Sequence, residues 1–190
     1  MVESADEMKE PWLGWLSGKG DFEGDRRKDV APAAAEPTES DFDVLTGALR
    51  WDRFMEIFRL EQAQAPGVLL LIDLGSRTGG IESFDWEQNL PWLAQAIRQA
   101  IRSDDLLAHV SDRRFAVLLR GATQTLGEAI SQRILKSVED TIFMTAQGVA
   151  SLETSIGGAG FGGEPNRDAL AGAIANLTLA HNSSEHAVIS

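Results

Sequence analysis

The stretch Leu106-Leu107-Ala108-His109-Val110-Ser111-Asp112-Arg113-Arg114-Phe115-Ala116-Val117-Leu118-Leu119 decides the fold. Two apolar runs, Leu106 to Val110 and Phe115 to Leu119, flank the four polar residues Ser111 to Arg114. That pattern predicts a β-hairpin with a polar turn. Upstream, Val68-Leu69-Leu70-Leu71-Ile72-Asp73-Leu74 is a continuous apolar run after Pro66-Gly67, the pattern of a central strand buried on both faces.

The intervening and flanking segments read as helices. Trp51 to Gln62 places Phe54, Ile57, Phe58 and Glu61 at helical spacing, and Gly67 stops it. Gly75 to Ser83 reads as a loop. Asn89 and Pro91 start a second helix, since Pro suits a first turn. Its apolar face is Trp92, Leu93, Ala96, Ile97, Ala100 and Ile101. Ala122 to Val138 is a third amphipathic helix, and Asp168 to His181 a fourth. Thr141 to Ala150 and Glu153 to Phe161 read as two more strands, Gly162 to Asn166 as a loop, and His186 to Ile189 as a terminal edge strand. No internal repeat is present. The order helix, strand, helix, hairpin, helix, strands, helix predicts one α/β or α+β sheet with helices packed on it.

Composition narrows the function. The 190 residues carry a net charge of −12, which argues against broad nucleic-acid binding, a function that needs a basic footprint. With no cysteine there is no disulfide framework, thiol nucleophile or Cys-ligated metal. The longest apolar run, Val68 to Ile72, is too short to span a bilayer, and the acidic start has no signal-peptide pattern. A cytoplasmic protein without membrane insertion is the expectation. Thirteen of the 17 cations are Arg, whose fork suits bidentate contacts to phosphate or guanine.

Half of the net charge, −6, falls in residues 1–42, where Pro, Gly, Ala, Glu and Asp dominate. This segment reads as a flexible acidic tail, with the domain covering 43–190. Within the tail, Trp12, Leu13, Trp15 and Leu16 form an apolar island. It either docks a partner or packs on the chain's own domain.

The order of elements and several motifs resemble the GGDEF domain, the diguanylate cyclase fold, over about residues 41–190. Asp43-Val44-Leu45-Thr46-Gly47 is similar to the family's opening Asp-x-Leu-Thr-Gly, and Thr154-Ser155-Ile156-Gly157 to its late Ser-Ile-Gly. Ala175-Asn176-Leu177-Thr178-Leu179-Ala180 resembles the family's Ala-Asp-x-Ala-Leu-Tyr, with Asn for Asp and Ala for Tyr. The resemblance implies a nucleotidyl cyclase-like central mixed sheet with packed helices, in a bacterial signalling protein.

The resemblance also implies what is missing. Cyclase chemistry needs carboxylates that hold Mg²⁺ at the triphosphate of GTP. In the family they come from Asp-hydrophobic-Asp at the first strand end and from Gly-Gly-Asp/Glu-Glu-Phe in the hairpin. Here Asp73 alone remains of the former. The signature turn is Ser111, Asp112, Arg113, Arg114 and Phe115, so only Phe is kept. Arg113 or Arg114 occupies the second metal position, and a cation there removes a ligand and repels the ion. The glycines that admit the nucleotide are replaced by Ser111 and Asp112. The family's guanine-reading Asn and Asp are lost, the latter position falling near Glu87. The expectation is no catalytic residue, no metal and no cyclase activity, with Asp73 a capped or solvated strand-end acid.

One family site keeps its pattern. The resemblance implies a product-binding Arg-x-x-Asp five residues before the signature turn, and here Arg102-Ser103-Asp104-Asp105 precedes Leu106 to Val110. An Arg fork can bind guanine O6/N7 or a phosphate, and an Asp can accept from guanine N1 and N2. Arg98, one helical turn earlier, adds charge on the same face. The motif lies where a helix ends and a strand begins, which predicts that both side chains reach solvent. The bland reading is an Arg favoured at a helix C-terminus followed by a turn Asp. No cofactor is required, and cyclic di-GMP is the candidate ligand. The expectation is a non-catalytic cyclic di-GMP receptor that regulates an unidentified protein partner, with a homodimer compatible. The alternative is a ligand-independent interaction scaffold that docks partners through the domain or the Trp/Leu tail.

The remaining features carry less. His109, His181 and His186 lack metal-ligand spacing. Gly157 to Gly163 is glycine-rich but lacks the Lys-Ser/Thr of a P-loop, so it reads as easing a strand-to-loop transition. Trp86 and Trp92 read as core or interface residues.

Overall fold

In a computed structural model, residues 36–75, 84–145, 148–150, 152–162, 168–183 and 186–190 are described. A six-stranded mixed sheet has the order β1-β3-β4-β2-β7-β8. The strands are β1 (Leu49–Arg50), β2 (Gly67–Gly75), β3 (Leu106–Ser111), β4 (Arg114–Arg120), β7 (Glu153–Phe161) and β8 (Ala187–Ile189). The helices are α1 (Trp51–Glu61), α2 (Trp86–Gln99), α3 (Gln124–Glu139) and α4 (Ala169–Asn182). The short strands β5 (Phe143–Thr145) and β6 (Gly148–Ala150) pair apart from the sheet.

The continuous apolar runs follow from burial on both faces. Val68, Leu70, Ile72 and Leu74 of β2 join Phe115, Val117 and Leu119 of β4 in one core with α2 and α3. The alternate residues Leu69, Leu71, Ala116 and Leu118 join a second core with α1 and α4. Successive strand side chains point to opposite faces, so a strand between two helical layers has no polar side to show. The antiparallel pairing of β2 with β4 runs from Gly67 opposite Arg120 to Asp73 opposite Arg114.

The starts of α2, α3 and α4 are set by side-chain caps, whereas α1 begins after Arg50 without one. Asp85 accepts from the Gln88 amide at 3.0 Å, Thr123 from Leu126 at 3.3 Å, and Asp168 from Leu170 and Ala171 at 3.1 Å each. The Asp85 cap starts α2 earlier than the Asn89/Pro91 start expected from sequence. Pro91 therefore lies inside the helix, where it has no N–H to return to the Glu87 carbonyl.

Three other expectations change. Thr141 to Ala150 is a hairpin rather than one strand, with Phe143 opposite Ala150 and Thr145 opposite Gly148. A tail ending at 42 runs too far: Glu39–Asp41 form a 3₁₀ turn, Phe42 bridges to Leu49 and packs on the second core, and Asp41 pairs with Arg53 at 3.5 Å. The glycines at 157 and 158 lie within β7 and serve close packing rather than a loop. A Cβ on Gly157 would collide with the α4 backbone at Leu177 and Ala173, and one on Gly158 would meet Leu70 Cδ2 at 2.6 Å. The edge strand at the end of the chain is as expected and runs parallel to β7. The Trp12/Leu13/Trp15/Leu16 island, the 76–83 part of the first loop and residues 163–167 lie outside the described residues. Among the described residues, no helix is long and apolar enough to cross a membrane.

Candidate functional site

Two polar centres flank the β3–β4 hairpin. The first is the hairpin turn itself. A register shift between His109 and Ser111 bulges β3 just before the turn. Arg114 then lies opposite Asp73, and its Nη2 donates to Asp73 Oδ2 at 2.8 Å. His181 of α4 approaches the same oxygen, with Nε2 at 3.6 Å. Asp73 is thus an ion-paired acid, neither a capping group nor simply solvated. Arg113 points to the other side and lies 5.8 Å over the Trp86 ring, which itself packs edge-on to Phe84. Ser111 and Asp112 are exposed, whereas Phe115 is fully buried in the first core. Among the described residues, no group of three or more His, Cys, Asp or Glu side chains could hold a metal ion.

The opening motif is built into this region. Asp43 accepts from both the amide and the hydroxyl of Thr46 at 2.8 Å, and Gly47 adopts a φ of 63°, which closes the turn. His109 Nδ1 lies 3.6 Å from Asp43. Burial works to raise the Asp43 carboxyl, but the Thr46 hydrogen bonds and His109 outweigh it and hold it below the ordinary value.

The second centre is the turn from α2 into β3. Its residues divide differently from the sequence expectation. Asp105 does not reach solvent: it is 1% exposed, and its two carboxylate oxygens accept from the Arg102 amide at 3.0 Å and the Arg120 amide at 3.1 Å. Two backbone N–H groups inside the fold would be orphaned without it. Asp105 therefore shapes the turn, and the more exposed acid is Asp104, with Oδ1 3.1 Å from Arg102 Nε. Arg102 keeps part of its side chain at the surface.

Two further arginines converge here. Arg98 is half-buried, and its Nε is shielded from solvent with no hydrogen-bond partner. Burial lowers its pKa, and Asp105 acts to raise it. Arg133 of α3 donates from Nη2 to the Ala100 carbonyl at 2.9 Å, closing the C-terminal end of α2. Sequence reasoning missed Arg133 because it stands 33 residues from its partner. A fourth arginine, Arg120, holds Glu61. Arg120 thus faces Glu61, Arg102 faces Asp104 and Arg98 lies near Asp105, while Arg133 turns to a main-chain carbonyl.

Of the other candidates, Glu87 is exposed in the first turn of α2. Asn89 is buried and donates to the Asp85 carbonyl at 2.7 Å. Asn176, at the family's Asp position, donates to the Gly158 carbonyl at 2.7 Å. Trp86 packs on the first core, but Trp92 is 64% exposed.

The mixed sheet, its two helical layers and the hairpin with its opposed strand-end acid define a nucleotidyl cyclase-like α/β domain. The chain belongs to the diguanylate cyclase GGDEF domain family, whose model matches residues 87–185. It is a GGDEF-domain signalling protein. The GGDEF domain of FimX from Pseudomonas aeruginosa is similar at 25% identity and a TM-score of 0.68, over 79% of this chain and 99% of that one. The diguanylate cyclase SiaD from the same organism, crystallised with its activator SiaC, is 22% identical with a TM-score of 0.71. That match covers 80% of this chain and 62% of SiaD. The GGDEF domain of DgcB from Caulobacter crescentus, in complex with c-di-GMP, is 14% identical with a TM-score of 0.67, over 82% of this chain and 98% of that one. No curated protein matches the chain.

Proposed function

We propose that this chain is a non-catalytic GGDEF-domain receptor for cyclic di-GMP that signals to a protein partner. The observation that carries the reading is the convergence of Arg98, Arg102 and Arg133 at the end of α2. A ligand with two phosphates and two guanines needs guanidinium forks, and an unpartnered buried Arg Nε favours an acceptor arriving from outside. Asp105 shapes the site and Asp104 supplies the acceptor for a guanine edge. DgcB, which shares the fold, is known in complex with this dinucleotide.

The absence of catalysis is supported by the first centre. The family's metal chemistry needs an anionic pocket, and here the Arg114 guanidinium sits against Asp73 where a cation would be held. Calorimetric titration of the purified protein tests binding: measurable heat at micromolar cyclic di-GMP, lost in Arg102→Ala, is expected. No heat at high micromolar ligand overturns the reading. Turnover of GTP with Mg²⁺ or Mn²⁺ that vanishes in Asp73→Ala would overturn the non-catalytic part.

A ligand-independent scaffold is the second reading, favoured by Trp92 standing exposed on α2. Pull-downs with and without residues 1–42, and with Trp92→Ala, separate the tail from the domain as the docking element.

A further inference from the structure

Glu61 is 4% exposed at the C-terminal end of α1, on the face that otherwise carries Phe54, Ile57 and Phe58. Its carboxylate is gripped by Arg120 at the end of β4, through Nε to Oε2 at 2.8 Å and through Nη2 to Oε1. The same guanidinium donates from Nη1 to the Asp104 carbonyl at 2.7 Å. The backbone amide of Arg120 donates to Asp105 Oδ1. One residue thus holds both acids of the 102–105 turn, one through side chain and one through main chain, while anchored to a different helix.

We infer that Arg120 is the positioning residue of the Arg102–Asp105 turn, and that Glu61 fixes its fork in the orientation this requires. The inference rests on the reading of that turn as the ligand site. A planar guanidinium with two parallel bonds to Glu61 cannot rotate, so its third nitrogen is aimed at the Asp104 carbonyl. Fixing that carbonyl sets the peptide between Asp104 and Asp105. Asp105 in turn accepts from the Arg102 amide, so the backbone carrying the Arg102 fork is set from both ends. A site whose supporting contacts are loose loses affinity although every contacting residue remains.

The test is binding and folding of the full chain in two variants. Arg120→Met leaves Glu61 buried without its partner and is expected to lower the melting temperature, which by itself says little. Glu61→Met/Arg120→Met removes both charges together and is expected to recover the melting temperature. Cyclic di-GMP affinity in this double variant is expected to stay about tenfold or more below the parent, the loss of one charge-assisted hydrogen bond's worth of positioning. Affinity that recovers along with the melting temperature overturns the inference and makes the pair a stability element alone. Amide hydrogen exchange gives a readout that needs no ligand. The Arg102 and Asp105 amides of the double variant are expected to exchange faster, and unchanged protection there overturns the inference. If the parent chain binds no cyclic di-GMP but the exchange prediction holds, the ligand reading fails and the positioning role stands.

Discussion

Arg114 and Asp73 face each other as register partners on adjacent antiparallel strands, joined by a 2.8 Å hydrogen bond between charged groups. The contact is set by the central ladder of the sheet rather than by a mobile loop. Beside it, Leu74 donates its amide to the Arg113 carbonyl at 2.9 Å, so the turn residues are tied to the same strand. The pair sets a guanidinium directly against the strand-end carboxylate.

Divalent ions should therefore leave the protein indifferent. Millimolar Mg²⁺ is expected to leave the melting temperature of the parent chain unchanged. The variant Arg114→Glu, which places an acid beside Asp73, is expected to show a rise with Mg²⁺. A parent chain that Mg²⁺ stabilises would contradict the account. Arg114 is 45% exposed, so the pair itself contributes little: a double-mutant cycle with Asp73→Ala should return a coupling under about 1 kcal/mol.

Arg133 offers a sharper separation of binding from folding. Arg133→Ala should weaken cyclic di-GMP binding about tenfold or more, the scale of one charge-assisted hydrogen bond. It also uncaps the α2 carbonyl at Ala100, at a cost of about 1 kcal/mol in urea unfolding. Calorimetry alongside denaturation measures both. Undiminished affinity in Arg133→Ala would remove it from the site and leave it a helix cap.

Asp43 sets a pH dependence with a defined sign. Its folded carboxyl titrates below the ordinary Asp value because Thr46 and His109 favour the charged form against burial. A lowered folded pKa gives stability that is fully present above the unfolded value, about 3.9, and lost as pH falls through the folded one. Asp43→Asn should accordingly destabilise the domain at neutral pH by about 1 kcal/mol. The gap to the parent should close below about pH 4. Urea midpoints across that range measure it, and a gap that widens on acidification would refute the sign.

Gly157→Ala should be among the more disruptive small changes in the chain. The added methyl would enter the α4 backbone at Leu177, which cannot rotate away as a side chain could. A loss of about 1–3 kcal/mol is expected. Gly75→Ala is the control, since nothing lies within 4 Å of its added carbon, and should change stability little.

How much was legible depended on range. The unbroken apolar runs 68–74 and 115–119 announced strands covered on both faces, and alternation between the two cores explains them residue by residue. Polar groups whose partners lie far along the chain were not legible. Glu61 fell at helical spacing with Phe54 and Phe58 because it is buried too, but its partner Arg120 stands 59 residues away. Asp105 matched a ligand-binding pattern, yet a four-residue motif cannot say whether a carboxylate turns outward or caps its own backbone. The α2 start is hard to read because Pro91 suits a first turn, yet the helix is capped six residues earlier by Asp85.

The sheet's margins bear on how this chain can meet other proteins. Its inner strands β2 and β7 each run nine residues, but the sheet ends in two residues of β1 on one side and three of β8 on the other. Gln124 Nε2 also donates to the Ile189 carbonyl at 3.2 Å, occupying one of the few acceptors on β8. An incoming strand would find too few rungs to zip onto, which protects the domain from edge-to-edge polymerisation. At the margins of this sheet, side chains rather than unpaired backbone make up most of what a second protein would touch.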